Sequence, residues 1–192
     1  VLGSSAVPPT FPAVRIDGEA YWDGGIYSNT PVEVVFDDYP RRSCVVFAVQ
    51  IWHTRGEEPE SVAQVFARQK DIMFGSRSMS HIAGQAKLHR MRHVVRTLVD
   101  MLPEEKRNTR EVQELADYGC ATTMYLLEIN AEQLDDENNS REYDFSPATI
   151  DARWRAGYAD TCRVIARRPW DNPIDPAVGV ALYASDGDKN VL

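Results

Sequence analysis

Two spacings of apolar residues alternate along the chain, and each predicts a different element. Over residues 13–22, short runs flank Asp17-Gly18, and an Asp-Gly pair in that setting predicts a two-residue hairpin with a type I′ turn. The returning strand delivers the chain to Asp23-Gly24-Gly25. Thr30-Pro31-Val32-Glu33 reads as a helix start, with Thr30 as N-cap, Pro31 at the first helical position and Glu33 completing a capping box. A short helix to about Asp37 is expected. Residues 43–52 (SCVVFAVQIW) are nearly continuous in apolar character, which predicts a central strand covered on both faces.

After a polar break over 53–60, the period becomes helical. Ser61 can cap a long stretch carrying Val62, Val65, Phe66, Ile72 and Met73. Gly75 and Gly84 are expected to interrupt it, giving two helices or one kinked helix that ends at Leu102-Pro103. A further helix is expected over 111–118, stopping at Gly119, then a second buried strand over 121–129 and an acidic loop over 131–145. Ser146-Pro147 opens an amphipathic helix running through Ile150, Trp154, Tyr158 and Ile165, and Pro169 terminates it. The residues after Trp170 are expected to be extended or loose. This order of elements predicts an α/β class, with helices on a mostly parallel sheet.

Composition narrows the picture. With 192 residues, 43% apolar and 26% charged, the chain can bury a core as one globular body without disulfides. A formal charge of −8 argues against a surface that tracks nucleic acid. Cys44, Cys120 and Cys162 are widely spaced and match no disulfide framework or Cys-x-x-Cys site. Neither a membrane span nor a secretory leader is visible, so a cytoplasmic chain is expected, at most peripheral to a membrane. Val1-Leu2 reads as the end of an element, so a fragment of a longer protein is expected.

The sharpest chemical pattern is G-S-S-A-V-P-P-T-F-P over residues 3–12, followed by Y-W-D-G-G-I-Y-S-N-T-P over residues 21–31. It resembles the patatin-like phospholipase family, in which A-S-x-A-x-P-x-x-F-P leads through a hairpin into D-G-G-x-x-x-N-x-P. Gly3 stands where the family usually has Ala, a small-for-small change. D-F-S-x-x-x-I-x-x-R-W-x-x-G-Y over 144–158 also resembles bacterial patatin-like proteins with a C-terminal extension. The resemblance implies the C-terminal portion of a three-layer α/β/α fold with added helices. It assigns residues 1–52 to the catalytic core, 53–170 to a mostly helical extension with one further strand, and 171–192 to a loose tail.

In that family the Asp of D-G-G is the second member of a Ser-Asp dyad, so Asp23 is implied as the catalytic residue, with Gly24, Gly25 and Asn29 as its supporting loop. The residues themselves point the same way. A carboxylate placed after a tight hairpin and before two glycines is held at a rigid strand end, and the glycines admit close backbone approach or positive φ. By itself D-G-G reads as a turn; the flanking P-x-x-F-P and N-x-P segments favour the base. The nucleophile of such a hydrolase sits in G-x-S-x-G and its oxyanion hole in a glycine-rich loop, and the 192 residues contain neither. The implied partner is therefore the missing N-terminal half of the same protein, the substrate a lipid or acyl ester, and the lone chain is expected to be inactive. No cofactor is implied. The competing expectation is an interaction or membrane-docking module in which D-G-G is a relic.

Two further features need a reading. Residues 68–96 carry seven Lys or Arg against one acid, Asp71, a segment of +6 that could meet an anionic bilayer or pair with the acidic loop. His89 and His93 stand four apart, with His81 eight residues before His89, a helical spacing that can chelate zinc. No Glu follows His89 as in H-E-x-x-H, and Arg90 and Arg92 would repel a cation, so no metal is expected.

Overall fold

Left-handed backbone at Asp17 (φ 52°) and Gly18 (φ 88°) turns strand β1 (Val14–Ile16) onto β2 (Glu19–Tyr21), the type I′ geometry that the Asp-Gly pair predicts. The computed structural model describes residues 1–130, 144–184 and 189–190. The acidic segment read as a loop therefore lies almost wholly outside the described residues. Beyond the hairpin come helix α1 (Val32–Phe36), strand β3 (Cys44–Gln50), helix α2 (Val62–Asp100), the short helices α3 (Glu104–Arg107) and α4 (Arg110–Ala116), and strand β4 (Met124–Asn130). Helix α5 (Pro147–Arg167) and strands β5 (Val180–Tyr183) and β6 (Lys189–Asn190) complete the order.

The main sheet runs β3-β4-β5-β6, with β3, β4 and β5 parallel and β6 antiparallel. Alternation along β4 divides the core into two layers. Met124 and Leu126 face Val32, Phe36, Ala48, Ile82 and Leu182 on the α1/α2 side, whereas Leu127 and Ile129 meet Val164, Trp170 and Tyr183 on the α5 side. Helices thus cover both faces, as expected for an α/β chain built on parallel strands.

Several expectations are corrected. Thr30 does not cap α1: Pro31 is the N-cap without a side-chain bond, and the buried Thr30 hydroxyl donates to Gln50 Oε1 (3.3 Å) at the end of β3. A tertiary partner outcompetes the local one. Helix α2 is continuous over 39 residues, capped by a reciprocal Ser61–Gln64 box. Gly75 does not interrupt it but lets it approach the following loop, since a Cβ there would lie 2.8 Å from Thr54 Cγ2 and 3.3 Å from the Trp52 carbonyl oxygen. Gly84 faces open space and leaves the helix unbroken.

Strand β3 is not central. It is the sheet edge among the described residues, and Val45, Phe47 and Val49 on its outer side are exposed. The stretch read as extended or loose supplies the extended strand β5, with Ala181 and Leu182 buried beside β4. The sheet therefore takes strands from residues 1–52, 53–170 and 171–192 alike. Helix α5 also turns the other way. Ile150, Trp154, Tyr158 and Ile165 are exposed, and the inward side carries Ala156, Gly157, Asp160, Thr161 and Val164. Small side chains bring this helix against β4, a pattern that a search for large apolar residues passes over.

A buried polar latch joins α2 to the start of β4. His89 Nε2 and His93 Nε2 both hydrogen-bond the Thr122 carbonyl oxygen, at 2.9 and 2.8 Å, and His93 Nδ1 meets the Pro176 carbonyl at 2.7 Å. Gly179, at φ 69°, lies so close that a Cβ would fall 2.1 Å from His93 Nε2. Burial lowers the proton affinity of His89; the Thr122 carbonyl opposes this, while neighbouring His93 and Arg92 add to it.

Two predictions follow from this packing. Leu126→Ala should cost about 2–5 kcal/mol, whereas Trp154→Ala should stay within about 0.5 kcal/mol, both read by urea unfolding; equal costs would mean that α5 buries its aromatic stripe. The His89 contribution has a sign as well. Its proton affinity is lower folded than unfolded, so its stabilisation is present above the ordinary histidine value of about 6.5 and is lost as acid is added. The fall in melting temperature between about pH 7 and pH 5 should therefore be shallower in His89→Gln, whose amide can still donate to Thr122.

Candidate active site

Asp23 follows β2 directly and is held from both sides. Its N–H donates to the Ala6 carbonyl (3.0 Å), tying it to the G-S-S-A segment, and its Oδ1 accepts the Gly25 N–H at 2.8 Å. That bond makes Asp23 the N-cap of a short 3-10 turn, Gly24–Ile26. The second oxygen, Oδ2, has no hydrogen bond among the described residues, and the side chain is half-buried. One oxygen is thus spent on orienting the side chain, and the other stays open.

The glycines do different jobs. A Cβ at Gly25 would sit 3.1 Å from both Asp23 Oδ1 and Asn29 Oδ1, so this position must be small for the carboxylate and the Asn29 amide to close on it. Gly24 meets nothing within 4 Å, and neither glycine has the positive φ that the sequence allowed for. Asn29 therefore packs in the same turn as Asp23 and Gly25, while Pro31 ends the loop at the N-cap of α1.

Helix α2 holds this loop from outside. Arg77 Nη1 donates to the Ile26 carbonyl (2.6 Å) and reaches the Tyr27 carbonyl (3.5 Å). One turn on, His81 Nδ1 lies 3.3 Å from the buried Ser28 Oγ and 3.8 Å from Glu33 Oε1, and the Tyr27 ring is tilted against the imidazole. Further along, Phe36 packs edge-on to His89, and Arg92 donates to the Phe36 carbonyl (3.1 Å) and pairs with Asp37 (2.9 Å). In the sequence Arg77 reads as part of a charged surface and His81 as a possible ligand. Their i, i+4 spacing was the available signal, but it does not say what the face meets.

The basic segment is largely stitched into the protein. Arg68 donates to the His53 and Thr54 carbonyls, and Arg96 pairs with Asp100. With Arg77 and Arg92 likewise engaged, much of the +6 surface serves backbone carbonyls and neighbouring acids. Among the described residues no helix is long and apolar enough to cross a membrane.

Among the described residues, His89, His93 and Cys120 bring three possible metal-donor atoms within 4.8 Å of one another, all buried. His81 stands apart from it, at the Asp23 loop. Both ring nitrogens of His93 face carbonyl oxygens, and Cys120 Sγ lies 2.9 Å from Thr122 Oγ1, so the cluster is engaged as a latch. A cavity lined by Val164, Arg167, Pro169, Asn172, Tyr183 and Ala184 shares no residue with the Asp23 loop.

Two family models match the chain, one over the loop and one over the helix that holds it. Residues 1–36, from the first turn through α1, match a family model described as patatin-like phospholipase. Residues 72–177, more than half of the chain and including most of α2, all of β4 and α5, match one described as patatin phospholipase. No curated protein matches the chain, and no solved structure does. The loop that carries Asp23 and the helix that grips it are thus each matched by a patatin family model, and the chain belongs to the patatin-like phospholipase family.

Proposed function

We propose that this chain supplies the base of a serine lipid acyl hydrolase, with Asp23 as the second member of a Ser-Asp dyad. Membership of a phospholipase family supports hydrolysis of a lipid ester. The observation that carries the finer reading is the divided carboxylate of Asp23, with Oδ1 anchored to the Gly25 N–H and Oδ2 without a partner among the described residues. A general base must stand within about 3 Å of the proton it removes, and an anchored carboxylate presents its free oxygen in one direction.

In this mechanism Oδ2 takes the proton of a serine hydroxyl as its oxygen attacks the ester carbonyl. Collapse of the tetrahedral adduct expels the alcohol, which recovers the proton, and leaves an acyl-serine. Water then attacks that ester with Asp23 again accepting the proton, releasing the fatty acid and regenerating the serine. Gly25 and Asn29 act by shaping the carboxylate's seat. The serine belongs to a G-x-S-x-G segment, which these 192 residues do not contain. The chain by itself is therefore assigned no turnover.

The deciding assay is hydrolysis of a short p-nitrophenyl acyl ester by the native-length protein containing this chain, beside its Asp23→Asn variant at equal folded concentration. A loss of about 10²–10⁴-fold in the variant is expected, with the melting temperature preserved; full rate in Asp23→Asn would remove Asp23 from the chemistry. The 192-residue chain assayed alone should give no burst of p-nitrophenol. A stoichiometric burst from it would mean that one of its own serines is the nucleophile.

A further inference from the structure

Ser28, His81 and Glu33 have the composition of a hydrolytic triad, but their geometry is that of a clamp. Ser28 Oγ and Glu33 Oε1 both approach the same ring nitrogen of His81, Nδ1, at 3.3 and 3.8 Å. A relay needs the acid and the nucleophile on opposite nitrogens, so that the proton taken at one is balanced by the carboxylate at the other. Ser28 is moreover buried. What the cluster can do is fix where Ser28 stands, and Ser28 closes the turn that begins at Asp23.

The bonds within that turn are few and consecutive. Gly25 N–H bonds the Asp23 carboxylate, and Tyr27 N–H and Ser28 N–H both bond the Gly24 carbonyl at 2.9 Å. Nothing in them holds the turn against the rest of the protein. Beyond the Asp23 N–H bond to the Ala6 carbonyl at its start, two side chains of α2 do so. Arg77 takes the carbonyls of Ile26 and Tyr27, and His81 takes Ser28 and stands beside Glu33 at the first turn of α1. The guanidinium bond is charge-assisted and short, and it comes from a helix whose inner face is locked further along by Phe36, Arg92 and the latch at Thr122.

We propose that Arg77 and His81 are positioning residues that set the direction of the Asp23 carboxylate from α2. The consequence for catalysis rests on the reading of Asp23 as the base. A base displaced by about 1 Å loses on the order of 100-fold in rate, so the two side chains govern turnover without touching substrate. Acting through the base, they are expected to change kcat more than KM, and a conservative replacement that restores the bond should restore the rate.

The test has two arms. In the native-length protein, Arg77→Met and His81→Ala are expected to speed amide exchange at Gly25, Tyr27 and Ser28 by about 10-fold or more, with exchange in β4 unchanged. Arg77→Lys and His81→Asn, which keep a donor or acceptor at the same reach, should retain the parent's protection. In the native-length protein, Arg77→Met should lower kcat about 10- to 100-fold with KM within about twofold, and Arg77→Lys should recover most of it. Unchanged exchange, a rise in KM at constant kcat, or a loss that merely tracks unfolded protein would overturn the assignment. Asp23→Asn assayed alongside keeps the two ideas apart. If that variant stays active the base is misassigned, while the exchange arm still decides whether α2 holds the loop.

Discussion

A helix of 39 residues whose exposed side includes Phe66, Met91 and Leu98 draws its stability from what its inner face is bonded to. In α2 that face is unusually polar. Arg68, Arg77, His89, Arg92 and His93 end on backbone carbonyls of five separate segments, at residues 53–54, 26–27, 36, 122 and 176. The bonds to Phe36, Thr122 and Pro176 are part-buried, and one from a charged donor such as Arg92 contributes roughly 1.5–3 kcal/mol. Between the polar anchors Ile82 reaches Phe36 and Leu126, so the helix is bolted to the Asp23 loop, to α1 and to the sheet along one line.

The sheet has the opposite character. It is held by apolar contact in two layers, and its β3 edge carries no charge and no proline over seven residues. Edges of that kind are ordinarily covered or blunted. Among the described residues, the outer face of β3 and the aromatic stripe of α5 are likewise exposed apolar surfaces. They lie on the side of the sheet away from α2, so the Asp23 loop does not depend on them.

That separation bears on function. The carboxylate is oriented locally, by Gly25 and the N-cap bond, and its turn is oriented globally, by α2. The region matched by the patatin phospholipase model begins at residue 72, just before the two side chains that grip the loop, and the patatin-like match ends at residue 36, where Arg92 closes the contact. The two matched regions therefore meet physically, although they are separated by the whole of β3 in sequence.

What the sequence determined by itself is what short-range chemistry decides. The Asp17-Gly18 turn, the Ser61 and Ser146 caps, the β4 strand and the D-G-G seat of Asp23 all depend on residues within a few positions of one another, and each was legible. Tertiary structure decided where distant partners compete with local ones. Thr30 left its capping role for Gln50, Gly75 stayed in a helix because a loop packs on it, and residues 180–183 became a strand only because β4 offered them an open edge. It also decided that α5 buries its small face rather than its aromatic one, since the sheet admits the closer approach. The roles of Arg77 and His81 belong to the same class: their spacing puts them on one face of a helix, but only the fold brings the Asp23 loop beneath it.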